Sequence, residues 1–334
     1  MGRDLALLIP EIAVLLAAVS ALIAEILRRP RASPPLAMLG LFVATGLTIR
    51  LVGTDTTVFG GSFRIDALSI WAKLILLPAT MLSLLLASAE VRGTVREGTV
   101  YSLLCLATVG ALILAGAGDM MFLVLGLLLT SLATFALVAY PDDDPATEAA
   151  MKYFVFGSVA GAVMIFGLTY WFGAAGSTMI ADLEGTEAIP LAVIFGLVAV
   201  IVGLGYKASL VPFHFWVPDA YEGGPLSVAA FLSVVPKVGA LFALTQVFRD
   251  LPSESGGPAV IAGLAVLSMT YGYLAALVQD NVVRLLAYSS IAQSGYFLLG
   301  IVALGESSFA LPSIIFFAAA YAAMNLGAFA VIAA

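Results

Sequence analysis

Apolar stretches of about 18–25 residues follow one another along this chain and constrain its fold more than any other feature. A stretch of that length crosses the hydrocarbon core of a bilayer as a helix. Of the 334 residues, 62% are hydrophobic and only 10% are charged, which is far from the balance that a water-soluble surface requires. The stretches do not alternate apolar and polar residues as the strands of a membrane β-barrel do. The sequence therefore predicts an all-α membrane protein, a polytopic bundle of helices.

Hydropathy predicts about eleven membrane spans. Their approximate bounds are residues 5–27, 35–53, 68–89, 99–117, 119–140, 150–173, 189–215, 226–248, 257–279, 283–304 and 309–334. Seven basic residues fall at one set of helix ends, namely Arg28, Arg29, Arg31, Arg92, Arg96, Lys152 and Arg284, and four fall at the other, namely Arg3, Arg50, Arg64 and Arg249. By the positive-inside rule the first set is cytoplasmic, so we expect the N-terminus outside. With no basic patch in the sequence, no nucleic-acid partner is expected.

Three lysines interrupt the apolar stretches: Lys73, Lys207 and Lys237. An intramembrane lysine is costly and usually faces the protein interior or a water-filled path. Lys73 lies one turn inside its predicted span, close enough for its ammonium to reach the membrane interface. A purely structural role and a functional role are therefore equally open for Lys73.

Prolines accompany the other two lysines. Pro212 and Pro218 follow Lys207, and a proline inside a helix removes a hydrogen bond and clashes with the preceding turn. Helices broken at membrane depth mark ion sites in transporters. Lys237 directly follows Pro236. Because burial disfavours the charged form of a lysine, both can release a proton at cellular pH, and we interpret Lys207 and Lys237 as a proton relay.

The single histidine, His214, lies seven residues after Lys207, on the same face if the helix is unbroken. A hydrogen-bonded core role and a role in the relay are both open for it. The single cysteine, Cys105, allows neither an intrachain disulfide nor a cysteine-based metal site. The sequence predicts no metal centre.

The segment Gly205–Pro225 reads Gly-Tyr-Lys-Ala-Ser-Leu-Val-Pro-Phe-His-Phe-Trp-Val-Pro-Asp-Ala-Tyr-Glu-Gly-Gly-Pro. It closely resembles the seventh-helix signature of the subunit N family of complex I, the bacterial counterpart of mitochondrial subunit 2. Glu148–Phe154, Ala230–Lys237 and the segment that begins at Arg284 match as well. Subunits L and M and the Mrp-type antiporters share the first part of the signature, whereas its continuation is closer to subunit N.

The resemblance covers essentially the whole chain and implies two inverted five-helix repeats, each with one broken helix. Residues 1–98 would form helices 1–3, residues 99–248 the first repeat, and residues 249–334 the start of a second, incomplete repeat. The family has about fourteen helices, so we expect the chain to be truncated within the second repeat. In the family pattern, Lys207 and Lys237 are the relay lysines.

The resemblance also implies an activity and a setting. The chain would be a non-redox, proton-translocating subunit of an NADH (or ferredoxin)-quinone oxidoreductase in a prokaryotic inner membrane. It would carry no cofactor itself. Its partners would be antiporter-like subunits of the L and M type, small subunits of the K, J and A type, and the lipid bilayer.

One departure from the family pattern concerns the fifth helix. Leu128 stands where the family usually has a glutamate that pairs with the seventh-helix lysine. The sequence leaves open whether position 128 faces Lys207 or packs elsewhere. Two other functions stay open beside the first: a cation/proton antiporter subunit of the Mrp type, and a structural membrane subunit that has lost pumping.

Overall fold

The computed structural model describes residues 2–94, 96–183, 191–251 and 256–334. Its described part contains thirteen α-helices: α1 (Gly2–Leu7), α2 (Ile9–Ile26), α3 (Ser33–Ile49), α4 (Ala67–Glu90), α5 (Glu97–Ala115), α6 (Met120–Val138), α7 (Asp144–Ala175), α8 (Leu191–Lys207), α9 (Val217–Gly223), α10 (Leu226–Arg249), α11 (Gly257–Ala276), α12 (Val282–Val302) and α13 (Ala310–Ala333). Ten helical stretches among these residues are long and apolar enough to cross a membrane. The prediction of an all-α, multi-pass membrane protein is confirmed.

Ten of the eleven predicted spans coincide with helices of the structure. The span predicted over residues 189–215 is interrupted, because α8 ends at Lys207 and the short helix α9 follows only at Val217. Residues 189 and 190 of that span lie outside the described residues. The predicted division at residues 98/99 and 248/249 falls close to the start of α5 and the end of α10, but the inverted repeat stays a prediction.

A short β-hairpin, which the hydropathy pattern did not predict, covers one end of the bundle. Strands β1 (Thr56–Val58) and β2 (Phe63–Ile65) pair antiparallel in the connection between α3 and α4. Phe63 and Ile65 are buried and pack with Val58 and Ile70 in a small apolar cluster. The hairpin therefore closes this end over the first helices.

Helix α10 lies at the centre of the bundle. Every residue from Ser227 to Phe248 is buried, and α4, α5, α8, α12 and α13 pack around it. A helix enclosed on all sides has no face toward lipid. Any polar side chain in its middle, such as Lys237, must therefore find its partners within the protein.

Helices α5 and α6 cross at very close range through two glycines. A Cβ added at Gly110 would lie 2.3 Å from Thr130 Oγ1 and 2.6 Å from the Thr130 nitrogen, and one added at Gly126 would lie 2.9 Å from the Gly110 carbonyl oxygen. Small residues at such crossings let helix backbones approach within a membrane. The crossing fixes the polar face of α6 toward the interior, where Thr130, Ser131 and Thr134 are buried.

Charged side chains gather at the two ends of the bundle. At one end, Arg284 and Lys152 pair with Asp219, and Arg284 also pairs with Glu222 at 2.7 Å. The basic residues of this end belong to the set that the sequence places in the cytoplasm. That orientation stays a prediction.

The opposite end holds a second network. Arg249 pairs with Asp66 at 2.6 Å, and Arg64 pairs with Asp250. Burial acts to raise the pKa of Asp66, but the Arg249 charge and the Ser69 backbone amide outweigh it and lower the pKa below its ordinary value. Asp66 therefore stays ionised where it caps the N-terminus of α4.

Candidate functional site

Helix α8 stops at Lys207 through its own backbone geometry. Ser209 adopts a left-handed conformation, with φ of 65°. The Leu210 amide donates to the Gly205 carbonyl at 2.8 Å, and the Ser209 amide donates to the Tyr206 carbonyl at 3.1 Å. These two bonds form the Schellman arrangement that ends a helix and satisfies its last carbonyls.

The predicted helix break is therefore confirmed, although it begins before the proline. The helix ends five residues before Pro212, and residues 208–216 run between α8 and α9 without regular helix. Non-helical backbone at membrane depth is tolerated only inside protein or beside a water-filled cavity. Ala208, Ser209 and Leu210 are all fully buried, which meets that condition.

Three hydroxyl groups hold the Lys207 ammonium. Lys207 Nζ donates to Tyr153 OH at 2.9 Å, to Ser131 Oγ at 3.1 Å and to Thr134 Oγ1 at 3.2 Å. The lysine has no exposed surface. Within the described residues, no carboxylate forms an ion pair with it. Sequence reasoning missed these three partners, whose only signal was a polar residue within an apolar stretch.

An aromatic cluster connects this hydroxyl set, formed by Ser131, Thr134 and Tyr153, to helix α9. The Tyr153 ring stacks on Trp216, with 4.2 Å between ring centroids. Trp216 Nε1 donates to the Tyr206 carbonyl at 3.0 Å, and Tyr206 OH donates to the Tyr153 carbonyl at 2.9 Å. The end of α8, the start of α9 and the first third of α7 are thereby held together around Lys207.

Leu128 lies on the outer face of α6. Its side chain is 42% exposed, whereas Ser131 and Thr134, which bond to Lys207, lie on the buried face of the same helix. Leu128 therefore lies at the surface of the bundle, beside and not among the residues that bond to Lys207. Hydroxyl groups, and not the position that the family pattern indicated, supply the partners of the lysine.

Lys237 is held by helix α12. Lys237 Nζ donates to Ser290 Oγ at 2.7 Å and to the Ser290 carbonyl at 3.0 Å, and only 1% of Lys237 is exposed. Helix α10 continues through Pro236, and Tyr321 OH donates to the nearby Ser233 carbonyl at 2.9 Å. The Tyr321 side chain of α13 thus bonds to the backbone of α10 close to Pro236.

Helix α9 lies between the two lysines. It packs against α7, which contributes Tyr153 to the Lys207 site, and against α12, which contributes Ser290 to the Lys237 site. Tyr221 of α9 lies 3.5 Å from Ser290, hydroxyl to hydroxyl. No hydrogen bond joins the two lysines directly in the part of the chain described. Helix α9, with the single hydroxyl group of Tyr221, packs against the helices that hold each of them.

His214 lies in the broken segment, and only 3% of it is exposed. Its ring contacts Phe215 and Tyr271, each with 4.5 Å between centroids. Because the helix is broken between them, His214 and Lys207 do not share a helical face. The structure places the imidazole against Tyr271 of α11, and whether it takes part in a relay stays a prediction.

Lys73 does not reach toward the membrane interface. Its side chain has no exposed surface, and Nζ forms an ion pair with Glu11 Oε1 at 2.6 Å. The ammonium does not use the reach to the interface that its position allows, because the folded chain covers this part of α4. Glu11 was visible in the sequence as an acid within the first apolar stretch, but nothing in the sequence paired it with Lys73.

Comparison with known proteins agrees with this architecture. Residues 117–334 match the family model described as NADH:quinone oxidoreductase/Mrp antiporter, transmembrane. NADH-quinone oxidoreductase subunit N from Mycobacterium sp. (strain JLS) is 40% identical over 86% of this chain and 61% of its own length. The protein of the same name from Desulfovibrio desulfuricans is 39% identical over 98% of this chain and 68% of its own length.

A solved structure supports the same relationship. The chain superposes with a TM-score of 0.84 and 29% identity on a chain of respiratory complex I from Thermus thermophilus, covering 97% of this chain and 70% of that one. The chain thus spans only 61% of the length of one relative and about two thirds of the others named here. Its fold, its transmembrane helices and its sequence show that it belongs to the NADH:quinone oxidoreductase/Mrp antiporter family and, within it, to the subunit N family of NADH-quinone oxidoreductases.

Proposed function

We propose that this chain is the proton-translocating membrane subunit of a complex I-type quinone oxidoreductase. The observation that carries the proposal is a pair of buried lysines inside an apolar bundle, Lys207 at a helix break and Lys237 in the central helix α10. Each ammonium is hydrogen-bonded only to neutral oxygen atoms. A chain that had no use for these charges would gain stability by replacing them with apolar residues.

The neutral partners suit a group that gains and loses a proton. A hydroxyl group accepts a hydrogen bond from an ammonium and, after rotation, donates one to an amine. Both the ammonium form and the amine form of Lys207 can therefore keep hydrogen bonds to the neighbouring hydroxyl groups. The same holds for Lys237 and the Ser290 hydroxyl. Each lysine can therefore exist in both protonation states without a large rearrangement, which a relay requires.

The relatives supply the proposed setting. Those named above are subunits of NADH-quinone oxidoreductase, and the matched solved chain is part of respiratory complex I. We place the redox reaction, with NADH or ferredoxin as donor, in partner subunits, and no cofactor in this chain. Antiporter-like subunits of the L and M type and small subunits of the K, J and A type are the proposed partners. The proposed location is a prokaryotic inner membrane, with the N-terminus outside.

The test is proton pumping by the assembled complex in membrane vesicles. Lys207→Ala and Lys237→Ala are expected to lower the number of protons pumped per quinone reduced, with less effect on the amount of assembled complex. Lys152→Ala is the matched control, because this lysine lies on α7 at the bundle end with 43% of its side chain exposed.

Unchanged pumping in both variants, at wild-type complex content, would contradict the relay. His214→Ala, measured in parallel, decides whether the imidazole belongs to the path. Transport of Na⁺ or K⁺ against protons by the purified chain, without a redox complex, would support the antiporter function instead.

A further inference from the structure

Glu11 and Lys73 form a contact that the relay does not use. Glu11 lies in the first turn of α2, and Lys73 lies about 9 Å along α4 from its first residue, given a rise of about 1.5 Å per residue. The two side chains meet at 2.6 Å between Nζ and Oε1. Both are at least nine-tenths buried. Among the described residues, theirs is the one ion pair of a lysine and a carboxylate in which both partners are buried.

The surroundings of this pair are apolar. The Phe63 ring of the hairpin lies over Lys73, with 5.6 Å between Nζ and the ring centroid. Ile70 and Leu74, one on each side of Lys73 in the sequence of α4, belong to or pack against the apolar cluster beneath the hairpin. The pair is therefore in contact with apolar side chains of the hairpin and of α4.

The pair also lacks the supporting hydrogen bonds that a buried ion pair normally has. In the part of the chain described, neither oxygen of Glu11 and no N–H group of Lys73 has a hydrogen bond to any third residue. Lys207 has three hydroxyl partners and Lys237 has two oxygen partners. Burial penalises both charges of an ion pair, and only good geometry together with further hydrogen bonds offsets that penalty. Here the further hydrogen bonds are missing.

Transfer of one proton within the pair removes both charges. An N–H bond of the Lys73 ammonium breaks, an O–H bond forms on the Glu11 carboxylate, and the products are an amine and a carboxylic acid. The 2.6 Å contact between Nζ and Oε1 brings donor and acceptor together, although their orientation in the structure is not that of a hydrogen bond. Burial without supporting donors penalises the charges of both partners, and the transfer removes both charges.

We propose that Glu11 and Lys73 form a further proton-holding site, in which one proton moves between the carboxylate and the amine as the complex turns over. The site lies outside the predicted repeats and is additional to Lys207 and Lys237. Its link to turnover rests on the proposed function, whereas the presence of the acid form does not.

Infrared spectroscopy of the assembled complex in membranes tests the site directly. The wild type is expected to show the C=O stretch of a buried, protonated carboxyl group, and Glu11→Gln is expected to lose it. In Lys73→Met the band is expected to be larger, since a buried carboxyl group without its partner stays protonated. Glu25→Gln is the matched control on the same helix, because the Glu25 carboxylate accepts a bond from the Gly98 amide at the other end of α2.

Two results would overturn the proposal. A wild-type spectrum that equals that of Glu11→Gln under all conditions shows a permanent ion pair. A band that is present but has the same amplitude at rest and during quinone reduction shows that no proton moves between Glu11 and Lys73 during turnover. If Glu11→Gln does not assemble, the double variant Glu11→Leu/Lys73→Met, which buries no charge, provides the spectrum without the band. Because the band is measured without pumping, this outcome is independent of the result for Lys207.

Discussion

Replacing Tyr153 with phenylalanine removes one of the three hydroxyl partners of Lys207 and leaves the ring that stacks on Trp216. A hydrogen bond to a charged group contributes about 1.5–3 kcal/mol, and one pH unit corresponds to about 1.4 kcal/mol. The loss destabilises the ammonium form of Lys207 relative to the amine. The lysine then gives up its proton at a lower pH, and the alkaline limb of the pumping profile is expected to move down by about 1–2 pH units.

The assay is proton pumping per quinone reduced, measured in vesicles as a function of pH. Tyr206→Phe is the control, because its hydroxyl group donates to the Tyr153 carbonyl at 2.9 Å and does not bond to Lys207. It removes a buried hydrogen bond of about 1 kcal/mol without touching the ammonium. Equal shifts in both variants would show that the effect is a general loss of stability. No shift in Tyr153→Phe would refute the assignment of the hydroxyl set to the protonation of Lys207.

Two further predictions concern helices α5 and α6. Leu128→Glu is expected to leave the pH profile of pumping unchanged, since the side chain lies at the bundle surface. It is expected to reduce assembly, because the carboxylate adds roughly 2.5–3.5 kcal/mol to the free energy of membrane insertion. A shifted profile at normal assembly would show that position 128 faces the lysine. Gly110→Ala is expected to lower the amount of folded chain and its melting temperature, because the added Cβ would collide with Thr130. Gly46→Ala is the neutral control, since a Cβ at Gly46 meets nothing within 4 Å. Equal melting temperatures for the two variants would show that the crossing of α5 and α6 has room to relax.

The membrane fold and the location of the main site could be predicted because they follow from strong local constraints. An apolar stretch of membrane-spanning length has few alternatives to a helix, and a lysine inside it must face the protein. These constraints placed Lys207 and Lys237 in the interior and located the helix break. The point where the helix ends could not be predicted, because it depends on the left-handed backbone of Ser209, a residue that gives no such signal in the sequence.

The partners of the lysines required the three-dimensional structure. Ser131 and Thr134 lie on α6, and Tyr153 lies on α7, each more than fifty residues from Lys207. Serine and threonine are common in membrane helices, where they bond to the preceding turn of their own helix, so their presence alone assigns no role. The Glu11–Lys73 pair was hidden for the same reason. Only the packing of α2 and α4 brings these two side chains together.

Lys207 and Lys73 differ in the charge of their partners, which are neutral hydroxyl groups at Lys207 and a carboxylate at Lys73. A carboxylate beside Lys207 would favour the ammonium form, since it stabilises a positive neighbour and gains nothing from a neutral one. The hydroxyl set favours the ammonium less strongly than a carboxylate would, because each hydroxyl group accepts from the ammonium and can also donate to the amine. No carboxylate among the described residues pairs with Lys207, and its ammonium bonds only to the hydroxyl groups of Ser131, Thr134 and Tyr153. Both the ammonium and the amine form of Lys207 can therefore be accommodated. Lys73 does have a carboxylate partner, Glu11, and we propose that the proton of this pair passes between its two members. We therefore expect Lys207 to exchange protons with the other groups of the proposed relay, and Lys73 to exchange its proton with Glu11.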